Sequence, residues 1–170
     1  MTTATDALRH ACTAQARIDT PLGPLLLART ARGLAGAWFE GQRHHPPAFD
    51  APFDADDECL AEADAQIAAY FAGDATAFDV PRDLLGTAFQ RAVWDALLAI
   101  PHGSTRTYAD VARTIGAPSA VRAVGAAVGR NPLSIVVPCH RVVGSDGSLT
   151  GYAGGTDRKA ALLALERAHA

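Results

Sequence analysis

Two helix-start signals in the second half of the chain restrict its fold more than any other feature of the sequence. The stretches 87–90 (Thr-Ala-Phe-Gln) and 107–110 (Thr-Tyr-Ala-Asp) each have the spacing of a capping box, in which two side chains satisfy free N–H groups of the first turn. Residues 116–118 (Gly-Ala-Pro) break the second helix, and a third is predicted to begin at Ser119. We therefore predict a helix-turn-helix in a helical C-terminal half, although many such helix pairs bind nothing.

The helix predicted after that turn is made mostly of small residues. Between Ser119 and Gly129 the one long cation is Arg122. A helix of this composition can approach another surface closely, and two interpretations stay open. It packs tightly inside the protein, which explains the Ala and Gly residues but not a buried Arg122. Alternatively, it enters a groove of DNA, where Arg122 would reach into the base stack.

The pattern of apolar residues and turn residues in the first half of the chain indicates short strands and one helix. Residues 1–15 show no clear period and are predicted to be an N-terminal extension. From Ala16 to Phe39, short apolar runs separated by turns that contain Pro or Gly predict strands. A helix is predicted from Asp56 to Ala72, because one helical face carries the apolar residues Leu60, Ala63, Ile67 and Phe71.

Domain boundaries are predicted where this periodicity is lost. Residues 73–85 interrupt it and should connect an N-terminal α/β lobe, residues 16–72, to a C-terminal domain, residues 86–170. Charge is distributed unevenly, since residues 1–83 contain 13 acidic and 6 basic side chains whereas residues 84–170 contain 5 and 9. A polyanion should therefore meet the C-terminal half, unless this charge is simply solvated surface.

No segment predicts export, membrane insertion or a metal site. No apolar run approaches the roughly 20 residues of a membrane helix, and the first residues lack a secretory signal, so we expect a cytoplasmic protein. The three cysteines, Cys12, Cys59 and Cys139, have no metal-type spacing, and their odd number favours free thiols. His44 and His45 precede two prolines, which is typical of a surface loop.

Cys139 and His140 follow an apolar run, Leu133 to Val137, that is long enough for a short buried strand. A thiol beside an imidazole suggests a nucleophile, because the thiolate is the reactive form and histidine can take its proton. In an extended chain, however, neighbouring side chains project to opposite faces, so this pair needs a bend or a water relay. An inert buried cysteine is the alternative interpretation.

The longer pattern around this dipeptide is more specific. The stretches 122–125 (Arg-Ala-Val-Gly), 131–132 (Asn-Pro), 138–142 (Pro-Cys-His-Arg-Val) and 151–155 (Gly-Tyr-Ala-Gly-Gly) occur in this order. Together they closely resemble the methylated-DNA-protein-cysteine methyltransferases, also called 6-O-alkylguanine-DNA alkyltransferases. The resemblance is strong over residues 86–167 and looser over 16–85, and it is closest to the free-standing bacterial members.

The resemblance implies an α/β (α+β) fold, with a small ribonuclease H-like N-terminal lobe (antiparallel sheet and helix) and a helical C-terminal lobe with the helix-turn-helix. It also implies that Cys139 accepts the alkyl group, with His140 acting through a bound water and Glu166 orienting the histidine. Asn131 would fix the turn before the active site. Tyr108 would lend a proton to the departing guanine, which otherwise leaves as an anion.

The same resemblance implies how DNA is bound. The target base would be flipped out through the minor groove, because its alkyl group is inaccessible inside the stack, and Arg122 would fill the gap. The further expected DNA contacts are Ser119, Ala120, Ala123, Ala126 and Arg130. The carbonyls of Cys139 and Val142 would bind the guanine amine, and the wall of the pocket would be Tyr152, Ala153, Gly154 and Gly155. Family members often have Ser where this chain has Ala153, which puts the substrate range in doubt.

The implied activity is a stoichiometric, irreversible transfer from 6-O-alkylguanine, with 4-O-alkylthymine an open possibility. The expected partner is double-stranded DNA, bound by a monomer, with cooperative binding left open, and no cofactor is expected. The zinc site of some relatives is not predicted here, since Cys12, Cys59, His44 and His45 do not reproduce its pattern. Three alternatives are a Cys-His hydrolase, a damage sensor of the alkyltransferase-like type and a simple helix-turn-helix regulator.

Overall fold

A computed structural model describes residues 4–170, and its N-terminal half is built on a small sheet. Strands β1, β2 and β3 are antiparallel in that order. The elements of this half are α1 (Ala4–Ala11), β1 (Cys12–Ile18), β2 (Leu25–Thr30), β3 (Gly33–Phe39) and α2 (Glu58–Ala72). Every residue of β3 is buried, because α2 packs against β2 and β3 and the C-terminal half pairs with Ala37 through Leu133.

The C-terminal half is mainly helical and carries a short parallel pair, β4 with β5. Its elements are α3 (Ala88–Leu98), β4 (Arg106–Thr107), α4 (Tyr108–Thr114), α5 (Val121–Gly129), a 3-10 helix (Cys139–Arg141), β5 (Val142–Val143) and α6 (Thr156–Ala168). The mixed α/β prediction with an antiparallel sheet is therefore confirmed. One hydrophobic cluster contains residues of both halves, Leu27 and Ile67 as well as Leu97 and Val137 among them. No helix in the described part of the chain has the length and apolarity to cross a membrane.

The predicted N-terminal extension is wrong for the residues that the structure describes. Residues 4–11 form α1 and β1 begins at Cys12, whereas residues 1–3 of the predicted extension lie outside the described residues. Leu8 is buried in a second cluster with Trp38 and Phe49, on the face of the sheet opposite to α2. A helix of two turns in which Leu8 is the one deeply buried side chain among residues 6–11 shows no detectable period in the sequence.

The helix starts follow the capping residues where a capping side chain exists. Both predicted capping boxes are present, at Thr87 and at Thr107. The helix expected at Ser119 instead begins at Val121, because Ala117 to Ala120 form a turn closed by a backbone hydrogen bond and no side chain caps the helix. In α2, the buried face contains Tyr70 rather than the expected Phe71, which is only partly buried.

The strand predicted at Leu133–Val137 is wrong. These residues are all buried, but the backbone turns repeatedly, with hydrogen bonds from Val136 N–H to Ser134 and from Val137 N–H to Leu133, and with Ile135 at a φ of 73°. The Asn131 amide bonds to Leu133 and Val137, and backbone bonds with β3 are limited to those around Ala37. The run is apolar because protein surrounds it on all sides, a condition that a folded loop and a strand share.

Candidate active site

Cys139 is the first residue of the 3-10 helix, and its side chain is 4% exposed. Burial raises the pKa of the Cys139 thiol to about 11. The Asn131 amide, the Lys159 ammonium and the N–H groups of Cys139 and His140 oppose this shift, since each favours the thiolate. The resting thiol is therefore protonated, while groups that stabilise its anion already surround it.

His140 is oriented by Glu166. The Nε2 atom of His140 lies 2.6 Å from Oε1 of Glu166, and both side chains are completely buried. Because a carboxylate can only accept, Nε2 carries the proton and Nδ1 is left as an acceptor. Burial lowers the pKa of His140, which favours the neutral ring, and Nδ1 has no hydrogen-bond partner among residues 4–170. A neutral base with a buried free lone pair, on the residue that follows the thiol, is suited to accept the thiol proton through a water.

Glu166 is the centre of a buried polar network. Arg141 binds it through two nitrogens, with Nε 2.9 Å from Oε2 and Nη2 2.8 Å from Oε1, and donates from Nη1 to the Ile100 carbonyl. The Gly103 N–H donates to Oε2. Burial alone would raise the pKa of Glu166, but the hydrogen bonds from His140 and Arg141, together with the positive charge of Arg141, hold it well below its usual range. The carboxylate that holds the histidine is thus itself held fixed.

Tyr70 extends this network into the N-terminal half. Its hydroxyl donates to Oε1 of Glu166 at 2.8 Å and lies 3.5 Å from Nε2 of His140. Burial, together with the nearby Glu166 carboxylate, keeps the pKa of Tyr70 well above its usual value, so the phenol remains a donor. Sequence reasoning missed this residue, because it predicted Phe71 on the buried face of α2.

Replacing Tyr70 by Phe should lower the free energy of unfolding by about 1–2 kcal/mol. The variant keeps the ring and loses one hydrogen bond to a charged acceptor, while Arg141 and His140 still satisfy Glu166. Urea unfolding of both proteins measures the difference. A variant as stable as the parent protein would show that this hydroxyl does not hold the two halves together.

Asn131 lies at the turn between α5 and the apolar loop that leads to Cys139. Its side-chain oxygen accepts from the Leu133 N–H at 2.9 Å, and its amide donates to the carbonyl of Val137 at 2.8 Å. The same amide favours the Cys139 thiolate. One buried side chain therefore shapes the loop and adds to the polarity around the thiol.

Tyr108 and the loop of residues 150–155 form one side of the site. The Tyr108 hydroxyl donates to the Thr150 carbonyl at 2.9 Å, and burial raises its pKa above the usual value. Gly151 has a φ of 74°, and a Cβ there would lie 2.8 Å from the Tyr108 hydroxyl, so the close approach needs glycine. Tyr152 is buried against Gly154, whereas Ala153 is partly exposed and Gly155 is exposed.

Two sets of contacts connect this loop to the N-terminal half. The Arg43 N–H donates to the carbonyl of Ala153 at 3.0 Å. Arg158 donates to the Gly154 carbonyl at 3.0 Å and to the Leu22 carbonyl at 2.9 Å, and its guanidinium lies 4.5 Å from the centre of the Phe39 ring. The loop wall is therefore tied to the lobe on which it lies.

Lys159 is a second residue that sequence reasoning missed. It is 1% exposed, and its ammonium donates to the carbonyls of Val142 and Thr150. The available signal was its spacing in α6, three, four and seven residues before Leu162, Leu163 and Glu166, which are buried on the same face. The Val142 carbonyl, expected to bind the guanine amine, thus already accepts one hydrogen bond and keeps one lone pair.

Helix α5 has one buried and one exposed side. Val124, Ala127 and Val128 are buried, and the Ala127 carbonyl accepts from the Trp94 indole at 2.9 Å. The predicted DNA contacts lie on the other side and at the two ends of the helix, where Ala120 is partly exposed and the exposed residues are Ser119, Arg122, Ala123, Ala126 and Arg130. Tight internal packing explains the buried side alone. Within residues 4–170, no group of three or more His, Cys, Asp or Glu side chains is placed to hold a metal ion.

Comparison with known proteins gives similarity over both halves of the chain. Residues 15–84 match the family described as 6-O-methylguanine DNA methyltransferase, ribonuclease-like domain, and residues 88–168 match its DNA binding domain. The methylated-DNA-protein-cysteine methyltransferase of Mycobacterium tuberculosis H37Rv is 50% identical over 153 residues, which cover 90% of this chain and 92% of the relative. The methylated-DNA-protein-cysteine methyltransferase of Methanosarcina acetivorans is 48% identical over 148 residues, which cover 87% of this chain and 94% of that protein. The crystal structure of M. tuberculosis OGT in complex with DNA superposes with a TM-score of 0.87 at 49% identity, covering 92% of this chain and 94% of that one.

Proposed function

Because this chain belongs to the 6-O-methylguanine DNA methyltransferase family, and is thus a DNA-repair alkyltransferase, we propose that Cys139 removes the alkyl group of 6-O-alkylguanine in one irreversible step. The observation that carries this proposal is the buried series Cys139, His140, Glu166 beside the Tyr108 loop. The proposed partner is double-stranded DNA, bound by a monomer, and cooperative binding is left to experiment. The proposed domain organisation is an N-terminal lobe that includes α1 and the whole of β1, a connection of residues 73–85 and a DNA-binding domain of 86–170. The matched ranges, 15–84 and 88–168, support the division near residue 85.

In the proposed reaction, the Cys139 proton passes through a water to Nδ1 of His140, and Glu166 stabilises the imidazolium. The thiolate then attacks the alkyl carbon, an S–C bond forms, and the bond between that carbon and the guanine oxygen breaks with its electron pair going to the base. Tyr108 lends a proton to the departing base and is reprotonated from His140, so the thiol proton ends on guanine. The product thioether has no leaving group that restores the thiol, and the protein is consumed.

The buried position of Cys139 supports base flipping. A thiol that is 4% exposed cannot reach an alkyl group inside a stacked duplex, so the nucleotide must leave the stack through the minor groove and enter the site. Tyr108, Tyr152 and Gly154 would bound the guanine, and the free lone pair of the Val142 carbonyl would accept from its amine. Displacement at 4-O-alkylthymine is the same chemistry on a smaller ring, and we propose it as a slower second reaction.

Replacing Arg122 by Ala should slow transfer from duplex DNA roughly tenfold or more and transfer from single strands much less. Arg122 is exposed in the first turn of α5, where it can fill the space left by the extruded base, and a single strand has no stack to fill. Single-turnover rates on both substrates measure the effect. Equal losses on the two substrates would rule out the role in the stack.

The proposed activity is tested against a hydrolase by incubating the protein with duplex DNA that carries 6-O-methylguanine labelled in the methyl group. Transfer should stop at one label per protein, all of it on Cys139. Release of labelled methanol with repeated turnover would establish a Cys-His hydrolase instead. Binding to the damaged duplex without any transfer would favour a damage sensor, and binding that ignores the lesion would favour a regulator.

A further inference from the structure

A cleft lies where three parts of the molecule meet. The N-terminal half contributes Arg43 and His44, from the loop after β3. Helix α5 contributes residues of its second half, and the loop beside the active site contributes Gly151 and Ala153. The N-terminal lobe therefore reaches the same surface as helix α5 and the wall of the active site.

The rim of this cleft is positively charged, and no acidic side chain of the described part of the chain lines it. Arg43 and His44 line this cleft and are exposed, and Arg130, the exposed residue that follows α5, lines an adjoining cleft together with His44. Neither guanidinium has a hydrogen-bond or ion-pair partner within residues 4–170. His44 lines one cleft with Arg43 and the adjoining one with Arg130, and burial together with these two positive charges lowers the pKa of His44. A bound anion would offset these positive charges.

The cluster of Arg43, His44 and Arg130 continues the exposed side of α5. Arg122, Ala126 and Arg130 are spaced by four residues along that side, so the cluster lies about 12 Å from the start of the helix that carries Arg122. If a DNA base is extruded beside Arg122, a phosphate about 12 Å away along the same backbone is within reach of the other end of the helix. The anion that this geometry favours is thus a phosphate of the same DNA.

We propose that Arg43 and His44 of the N-terminal lobe, together with Arg130, bind a backbone phosphate of the DNA at the C-terminal end of α5. This inference rests on the proposed function, since it assigns a further contact to the same DNA. Because the Arg43 N–H also holds the Ala153 carbonyl, the contact joins DNA binding to the wall of the active site. The N-terminal lobe then has a part in substrate recognition beyond supporting the core.

The proposal is tested by replacing Arg43 with Ala and measuring the affinity for an undamaged duplex at several salt concentrations. The loss of one phosphate contact should weaken binding roughly three- to tenfold at low salt and reduce the slope of log K against log salt by about 1. Arg43→Lys keeps the charge and should keep the slope. The matched control is Arg32→Ala, an exposed arginine of the same lobe in the turn between β2 and β3, and its slope should equal that of the parent protein.

A slope unchanged in Arg43→Ala, or an equal loss in Arg32→Ala, would overturn the proposal. A lower melting temperature with an unchanged slope would also overturn it, because the cluster would then serve only to stabilise the negative end of the α5 dipole. Labelled methyl transfer by the parent protein distinguishes a failure of the phosphate contact from a failure of the proposed function. Transfer with no change of slope defeats the phosphate contact alone, whereas absence of any transfer defeats the proposed function.

Discussion

Replacing Cys139 by Ala is expected to abolish alkyl transfer, with a loss of at least about 10³-fold, and to leave DNA binding within about twofold of the parent protein. No other described thiol can substitute for it. Burial raises the pKa of Cys12, Cys59 and Cys139 alike, but at Cys139 alone among them do the Asn131 amide and the Lys159 ammonium stabilise the thiolate. The exposed side of α5 is untouched by the change.

The matched control for this experiment is Cys59→Ala, which should retain full transfer. Label transfer from duplex DNA containing 6-O-methylguanine measures both variants, and gel-shift titration measures their DNA affinity. Residual labelling of the Cys139→Ala protein at a comparable rate would mean that another nucleophile accepts the alkyl group. Loss of DNA binding in the same variant would mean that the thiol has a structural role that we have not assigned to it.

Replacing Glu166 by Ala should lower the free energy of unfolding by about 3–5 kcal/mol, because it leaves the buried Arg141 guanidinium without its partner. Transfer should also slow strongly, since His140 loses the group that fixes its orientation and tautomer. Glu166→Gln keeps the side-chain volume but removes the charge. It should lower the free energy of unfolding less than Glu166→Ala does, and its transfer should still be slow. Urea unfolding and single-turnover rates separate the two effects.

An exposed pair of the same chemistry supplies the control. Arg17 and Glu40 lie 2.8 Å apart on the surface, with side chains 60% and 64% exposed, and Glu40→Ala should cost at most about 1 kcal/mol. Equal costs for the two glutamate variants would contradict the account of the buried network. So would a Glu166→Gln protein that transfers methyl groups at the parent rate.

The Glu166 network also predicts the direction of a pH effect. The folded pKa of this carboxyl is depressed, so its contribution to stability is fully present above the unfolded value of about 4.3 and is lost as pH falls below it. The stability difference between the parent protein and Glu166→Gln should therefore be constant near neutral pH and shrink below about pH 4. Urea unfolding across this range measures it.

The parts of the fold that could be predicted from sequence are those fixed by local signals. Thr87 and Thr107 determine helix starts through bonds within their own first turns, so their capping boxes could be found without knowing the tertiary structure. The loop from Leu133 to Val137 could not, because its conformation depends on the Asn131 amide and on burial by both halves. The apolar run in the sequence indicates that these residues are buried, but burial does not distinguish a strand from a loop.

Some residues of the candidate site could likewise be predicted from the sequence, and others could not. The resemblance to a known family identified Cys139, His140 and Glu166, and the structure brings the last two into direct contact. Tyr70 was missed because its partner Glu166 is 96 residues away in the chain. Lys159 was missed because a lysine on a helix is ordinarily solvated, and only the carbonyls of Val142 and Thr150 explain its burial.

The most direct test of the account is the mass of the intact protein after exposure to an excess of duplex DNA containing 6-O-methylguanine. The account predicts a gain of one methyl group in every active molecule, located on the peptide that contains Cys139, and no further repair by the modified protein. An unchanged mass with continuing loss of the lesion would show turnover, and a methyl group on another residue would show a different acceptor. Either result would contradict the assignment of Cys139 as a thiol that is used once.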